Sequence, residues 1–98
     1  MDIQEEIKAI TKIRNNCYVE IKNQKVKCDR CGSPMELKDY YNRKIPVLFA
    51  KDNHLIKVFF IAPKIRCTHC NHTKIFYNGF FENRKLNSNK FSELIEFL

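Results

Sequence analysis

Four of the five cysteines in this 98-residue chain stand in two pairs, and they are the residues best placed to do chemistry. Cys28-Asp29-Arg30-Cys31-Gly32 and Cys67-Thr68-His69-Cys70-Asn71 each separate two thiols by two residues, and residues 32–66 lie between the pairs. A two-residue gap in a tight turn lets both thiolates face one ion, and Zn²⁺ takes four such ligands in a tetrahedron. One turn supplies half a site; two turns brought together by a sheet supply all of it. Cys28, Cys31, Cys67 and Cys70 are therefore the expected ligands of one metal ion, zinc first and iron second. An all-thiolate set leaves no open position for water or substrate, so the expectation is a structural site and no enzyme.

Each pair is approached by a β-like run, Val26-Lys27 before the first and Lys64-Ile65-Arg66 before the second. With these approaches, Cys28-x-x-Cys31-Gly32 and Cys67-x-x-Cys70 resemble the zinc-ribbon (rubredoxin-like) superfamily over about residues 25–82. The resemblance implies a small sheet carrying both knuckles and a binding module of the kind used in transcription, translation and nucleic-acid enzymes. A second resemblance is to HNH endonucleases with cysteine-bound zinc, through the order Cys28-x-x-Cys31, Asn53-His54, Cys67-x-x-Cys70. That family has Asp-His where this chain has Asn53-His54, and its glycines and central Asn are missing here, so a nuclease stays a minor alternative beside a rubredoxin-like iron protein. No His-x-Glu of a zinc deaminase is present. With only Gly32 and Gly79 there is no glycine-rich phosphate loop. Cys17, the odd cysteine, falls on the apolar side of an alternating run and is expected in the core. His69 and His72 flank a site that four thiolates already complete.

Those knuckles need a scaffold, and the length allows one domain over residues 1–98. The expected fold class is α+β: a zinc ribbon with a small antiparallel β-sheet flanked by N- and C-terminal helices. Ile3, Ile7, Ile10 and Ile13 recur at spacings of four, three and three, which predicts a helix over 2–15, with Asp2 as N-cap and Glu5 completing a capping box. The ribbon is expected over 17–82. Residues 17–22 alternate as a strand, as does Met35–Tyr41 after the first knuckle. Ile45–Ala50 and the strongly apolar Leu55–Ala62 should form a hairpin about Lys51-Asp52-Asn53-His54, with Pro63 ending the second arm. Thr73–Phe81 should be the last strand. Phe91, Leu94, Ile95 and Leu98 set a helix over 90–98, capped by Ser88 or Asn89.

Net charge is +7, and residues 40–81 hold seven basic residues against one acidic. A phosphate-facing surface is one account of this bias, and codon usage favouring Lys is the other. The expected function is a small regulatory or adaptor protein that binds nucleic acid or a nucleoprotein machine. Its expected contacts are Lys25, Lys27, Arg30, Lys64, Arg66, His69 and Lys74, with Tyr77 stacking on a base. The alternative is a protein–protein interaction module, an inhibitor or a homodimer, that uses Phe59, Phe60, Phe91 and Leu94. Neither account involves a membrane or a small-molecule substrate. The acidic N-terminus lacks the apolar core of a secretory leader. With paired, reduced thiols this predicts a cytoplasmic protein, or a nuclear one in a eukaryote.

Overall fold

The computed structural model describes residues 3–98 and gives a body of 49 × 24 × 22 Å. Its long axis is one strand. Leu55–Ala62, the most β-prone run of the sequence, lies inside β5, His54–Cys67, which every other strand of a six-stranded sheet meets directly or through β2. Chain order runs from a 3₁₀ turn, Ile3–Glu5, to β1, Ile7–Ile13, and β2, Asn16–Ile21. The first knuckle, β3, Met35–Asn42, and β4, Val47–Lys51, follow. After β5 come the second knuckle, β6, Thr73–Ile75, and the two-residue pair β7, Phe81–Glu82, and β8, Lys85–Leu86. Helix α1, Ser88–Ile95, ends the chain.

One edge of β5 carries β4 and then β3, both antiparallel, joined end to end by a four-residue insertion opposite Phe59 and Phe60. The turn between β4 and β5 is Asp52-Asn53, with φ of 50° and 63°. Two successive left-handed residues match the right-handed twist of the arms, and Asp and Asn tolerate that conformation better than most. The other edge carries β2 and then β6. β2 runs parallel to β5 and β6 antiparallel, so the sheet is mixed. The connection that this parallel pair requires is residues 22–53. Residues 22–34, which hold the first knuckle, carry the chain to the opposite edge of β5, and β3 and β4 follow before β5 begins.

The fold overturns the expected pair of flanking helices, of which only a short C-terminal one is present among the described residues, and the purely antiparallel sheet. Asp2, the expected N-cap, lies outside the described residues, and residues 7–13 are a strand. The isoleucine spacing imitated a helix because β1 is bulged. The register slips between Ile7, opposite Ile21, and Ala9, opposite Glu20. The extra residue, Lys8, turns Ile7 and Ile10 to the same face although they are three apart, and both pack on the core. Past the bulge the parity is regular, and Ile13 lands on the other face, 55% exposed. Pro63 does not end β5. It lies buried within the strand, opposite Tyr40, while its carbonyl accepts from the Phe76 amide at 2.8 Å. Thr73–Phe81 gives only the three residues of β6 before turning, with Asn78 and Gly79 left-handed.

Alternation along β5 divides the interior. Val58, Phe60 and Ala62 face one side, and Ile65 and Cys67 face the other. On the first side Cys17, Val19 and Ile21 of β2 join Phe80, Phe91 and Leu94 in the main core. The Phe60 ring meets Phe80 and Phe81, with centroids 5.5 and 5.1 Å away. Helix α1 closes this side. Asn87, one residue before the predicted caps, accepts from the amides of Asn89 and Lys90 at 3.1 and 3.3 Å. Lys90 then reaches back to the buried Glu6 and the Asn78 carbonyl, tying the helix to the start of the chain. On the second side a smaller cluster of Met35, Ile65, Cys28 and Cys67, with Val26 and Phe76 against it, forms a floor under the knuckles.

Candidate metal centre and the surfaces around it

β3 begins where the first knuckle ends, β5 ends where the second begins, and Met35 and Cys67 face each other across the ladder. Sheet register alone thus brings residues 28–31 beside residues 67–70. The two turns are built alike. The Cys28 amide donates to the Ser33 carbonyl and the Cys67 amide to the His72 carbonyl, both at 2.8 Å. The residue after each second cysteine is left-handed, Gly32 at φ 73° and Asn71 at φ 62°. Glycine takes that conformation freely and asparagine at modest cost, which explains both residue types in the sequence. The knuckle amides of Arg30 and His69 each point at the preceding sulfur, Cys28 Sγ and Cys67 Sγ, at 3.4 Å.

All four sulfurs lie within 4.8 Å of one another. Cys31 and Cys67 are 3.3 Å apart, Cys28 and Cys70 3.7 Å, and Cys31 and Cys70 3.8 Å. Four sulfurs about 2.3 Å from a shared ion at a tetrahedron's centre stand about 3.8 Å apart. The donor set and its spacing fit a metal ion, zinc or iron. Cys28 and Cys67 are buried against the floor, whereas Cys31 and Cys70 are open to solvent. The amide and hydroxyl of Ser33, with the Cys67 sulfur, lower the Cys31 thiol to about 6. The Arg30 amide lowers Cys28. The His72 amide draws Cys70 down, but desolvation and the three neighbouring sulfurs outweigh it and push Cys70 up to about 11. One thiolate forms readily in this cluster and the last resists, because four negative charges so close need a cation between them.

His54, the partner that an HNH-type centre would need, begins β5, while Cys67 ends it. Thirteen steps of about 3.3 Å place them about 43 Å apart. Cys17 is buried in the main core, 2% exposed, as its place in β2 predicts, and burial raises its thiol above the ordinary value despite nearby Lys12.

The other predicted residues scatter. Lys25, Lys27, Arg30 and His69 are exposed about the knuckles and form no ion pair among the described residues. Arg66 pairs with Glu36 at 3.5 Å and Lys74 with Asp29 at 3.2 Å. Lys74 stands opposite Ile65, so it belongs to the opposite face from Lys64 and Arg66. Among the predicted partner contacts, Phe60, Phe91 and Leu94 are core residues, 1%, 7% and 0% exposed. Their apolar pattern answered to the chain's own interior. Only Phe59 remains half-exposed, stacked on Tyr18 at 5.3 Å on the sheet face away from α1.

The structure gathers another group that the sequence reading did not. Tyr77, expected near the knuckle, instead lines a groove with Tyr41, Arg43, Lys44 and Arg84. Tyr41-Asn42-Arg43-Lys44 already set an aromatic residue beside two cations, a signal hidden under its reading as strand end and turn. Arg84 comes from forty residues away and carried no such signal.

No family, curated protein or solved structure matches the chain, so its class rests on the site itself. That class is a small protein with a four-cysteine metal-binding cluster. No helix among the described residues is long and apolar enough to cross a membrane.

Proposed function

We propose that this is a zinc-ribbon adaptor: a module stapled by one structural zinc ion, which binds nucleic acid and performs no catalysis of its own. The observation that carries the reading is the convergence of four thiolate donors within 4.8 Å on two like-built knuckles. Four protein ligands close a tetrahedral site, and the chemistry of such sites is structural. A small sheet with a two-sided core gains much of its stability from such a staple. The seven-to-one basic bias of residues 40–81 supports a polyanionic partner. The pairing of Arg66 and Lys74 with acids moves the expected contact surface away from those two residues. Elemental analysis of the purified protein tests the staple, with one zinc per chain expected; a coloured iron protein or no metal refutes it. A salt titration of binding to DNA and RNA of mixed sequence tests the partner. Phosphate contacts require affinity to fall steeply with salt, and no binding at low salt refutes that half of the reading.

One observation favours the alternative, a protein-binding module. The sheet face away from α1 is open, with Leu48 and Leu55 53% and 55% exposed beside half-exposed Phe59. A second copy of this chain, packed face to face across these residues, is the form that reading takes. Sedimentation decides it: a dimer dissociated by Leu48→Lys with Leu55→Lys supports it, and a monomer at high concentration removes it.

A further inference from the structure

The groove of Tyr41, Arg43, Lys44, Tyr77 and Arg84 lies where β3 ends and the β7–β8 turn folds over the sheet. It is open to solvent, with a volume of about 680 Å³. Three of its lining residues are cationic and none is acidic. The acids nearest in sequence, Asp39 and Glu82, do not line it. Asp39 accepts from the Tyr40 amide at 2.7 Å and faces Lys64 across the ladder, while Glu82 faces Lys85. Lys44 and Arg84 have no ion-pair or hydrogen-bonding partner among the described residues, unlike Arg66 and Lys74. Arg43 is fixed in place. Its guanidinium lies 4.2 Å from the centre of the Phe81 ring and donates to the Ile45 carbonyl at 2.7 Å. It also faces the Tyr77 hydroxyl, whose pKa burial raises and Arg43 lowers. Tyr41 is 40% exposed.

Arg84 occupies a position that suits it poorly. The β7–β8 turn has Asn83 at φ 50° and Arg84 at φ 67°, the two-residue turn whose second position favours glycine. A fixed guanidinium, two free cations and an exposed aromatic ring form the combination that holds a nucleic-acid strand by its phosphates and an unpaired base. Duplex reading would need a helix or ribbon that enters a groove. Helix α1 is unsuited, since its one lysine, Lys90, pairs with Glu6, and it carries exposed Glu93 with Glu96 at its C-cap.

The geometry points to this groove as a binding surface for single-stranded nucleic acid, with phosphates on Lys44 and Arg84 and a base stacked on Tyr41. The inference rests on the nucleic-acid reading above and names its surface. Arg43 is a positioning residue that also contributes charge.

The test is fluorescence anisotropy on the zinc-loaded full chain with labelled DNA and RNA single strands of the same sequence, about 12 nucleotides long, and with the corresponding DNA duplex. Single strands should bind more tightly than duplex, and the DNA and RNA arms show which sugar is preferred. Lys44→Glu with Arg84→Gly should make the log–log salt slope shallower by about 1.4, the contribution of two phosphates on a single strand. Tyr41→Ala should weaken binding about fivefold to a hundredfold. Arg84→Gly alone separates function from folding, because it should raise the melting temperature while it lowers affinity. Wild-type binding that these variants leave unchanged overturns the groove and leaves the nucleic-acid reading standing. Tighter binding to duplex overturns the single-strand assignment. A wild-type protein that binds none of the three refutes the parent reading and the groove together.

Discussion

Lys74 donates to Asp29 at 3.2 Å, joining the strand that leaves the second knuckle to the turn of the first. The pair neutralises a cation that the sequence offered as a phosphate contact and holds it on the Ile65 side of the sheet. With Asp29 74% exposed, solvent screens the pair, and it contributes about 0–1 kcal/mol. Lys74→Gln should therefore leave both metal content and nucleic-acid affinity within about twofold of wild type. Titration of the variant beside the wild type measures this, and a tenfold loss would return Lys74 to the contact surface.

The ligand cysteines should separate sharply from Cys17. Serine at position 28, 31, 67 or 70 should lower metal content to well below one ion per chain and broaden or abolish the unfolding transition, because binding free energy is folding free energy in such sites. Cys17→Ser should keep the metal. It places a hydroxyl among Val19, Val58 and Phe60 in the main core, which should cost about 1–3 kcal/mol. Metal analysis and denaturant melts on the five variants read both outcomes.

Metal affinity should fall as pH is lowered, since protons and the ion compete for the same sulfurs. Cys31 has its thiol lowered to about 6, so it remains a thiolate through neutral pH and takes up a proton only as the pH passes below that value. Cys70, raised to about 11, is protonated in the metal-free cluster at pH 7 and must release its proton when the ion binds. Chelator competition between pH 5 and 8 should show weaker binding at each lower pH, and calorimetry in two buffers should show proton release. An affinity independent of pH would contradict thiolate ligation.

The Glu6–Lys90 pair should be a main fastening between the two ends of the chain. Glu6 is 3% exposed, and Lys90 also donates to the Asn78 carbonyl and lies over the Phe80 ring at 5.0 Å. Lys90→Ala leaves a buried carboxylate without its cation, a change that costs about 3–5 kcal/mol. Replacing both with Gln and Met should recover most of the loss. Denaturant midpoints for the single and double variants measure the coupling, and additivity would deny it.

The sequence by itself determined the two cysteine turns, the β-hairpin and the last helix, because each is a local pattern, whereas the β3–β5 register brought the two turns together. The Cys-x-x-Cys turns with left-handed Gly32 and Asn71, the Asp52-Asn53 turn and the apolar stripe through Phe91 and Leu94 each lie within about ten residues. Alternation in β2 likewise placed Cys17 in the core. Three matters were decided only by tertiary structure. The first was the state of residues 7–13, where one bulged residue gave a strand the spacing of a helix. The second was the direction of β2, since parallel pairing to β5 depends on a crossover that no local pattern announces. The third was which cations share a face. A one-residue change of register moves a side chain through the sheet, so Lys74 parted from Lys64 and Arg66. Arg84 came instead to Arg43 and Tyr41, because side-chain neighbours follow from strand register and from how the chain folds back, not from distance along it.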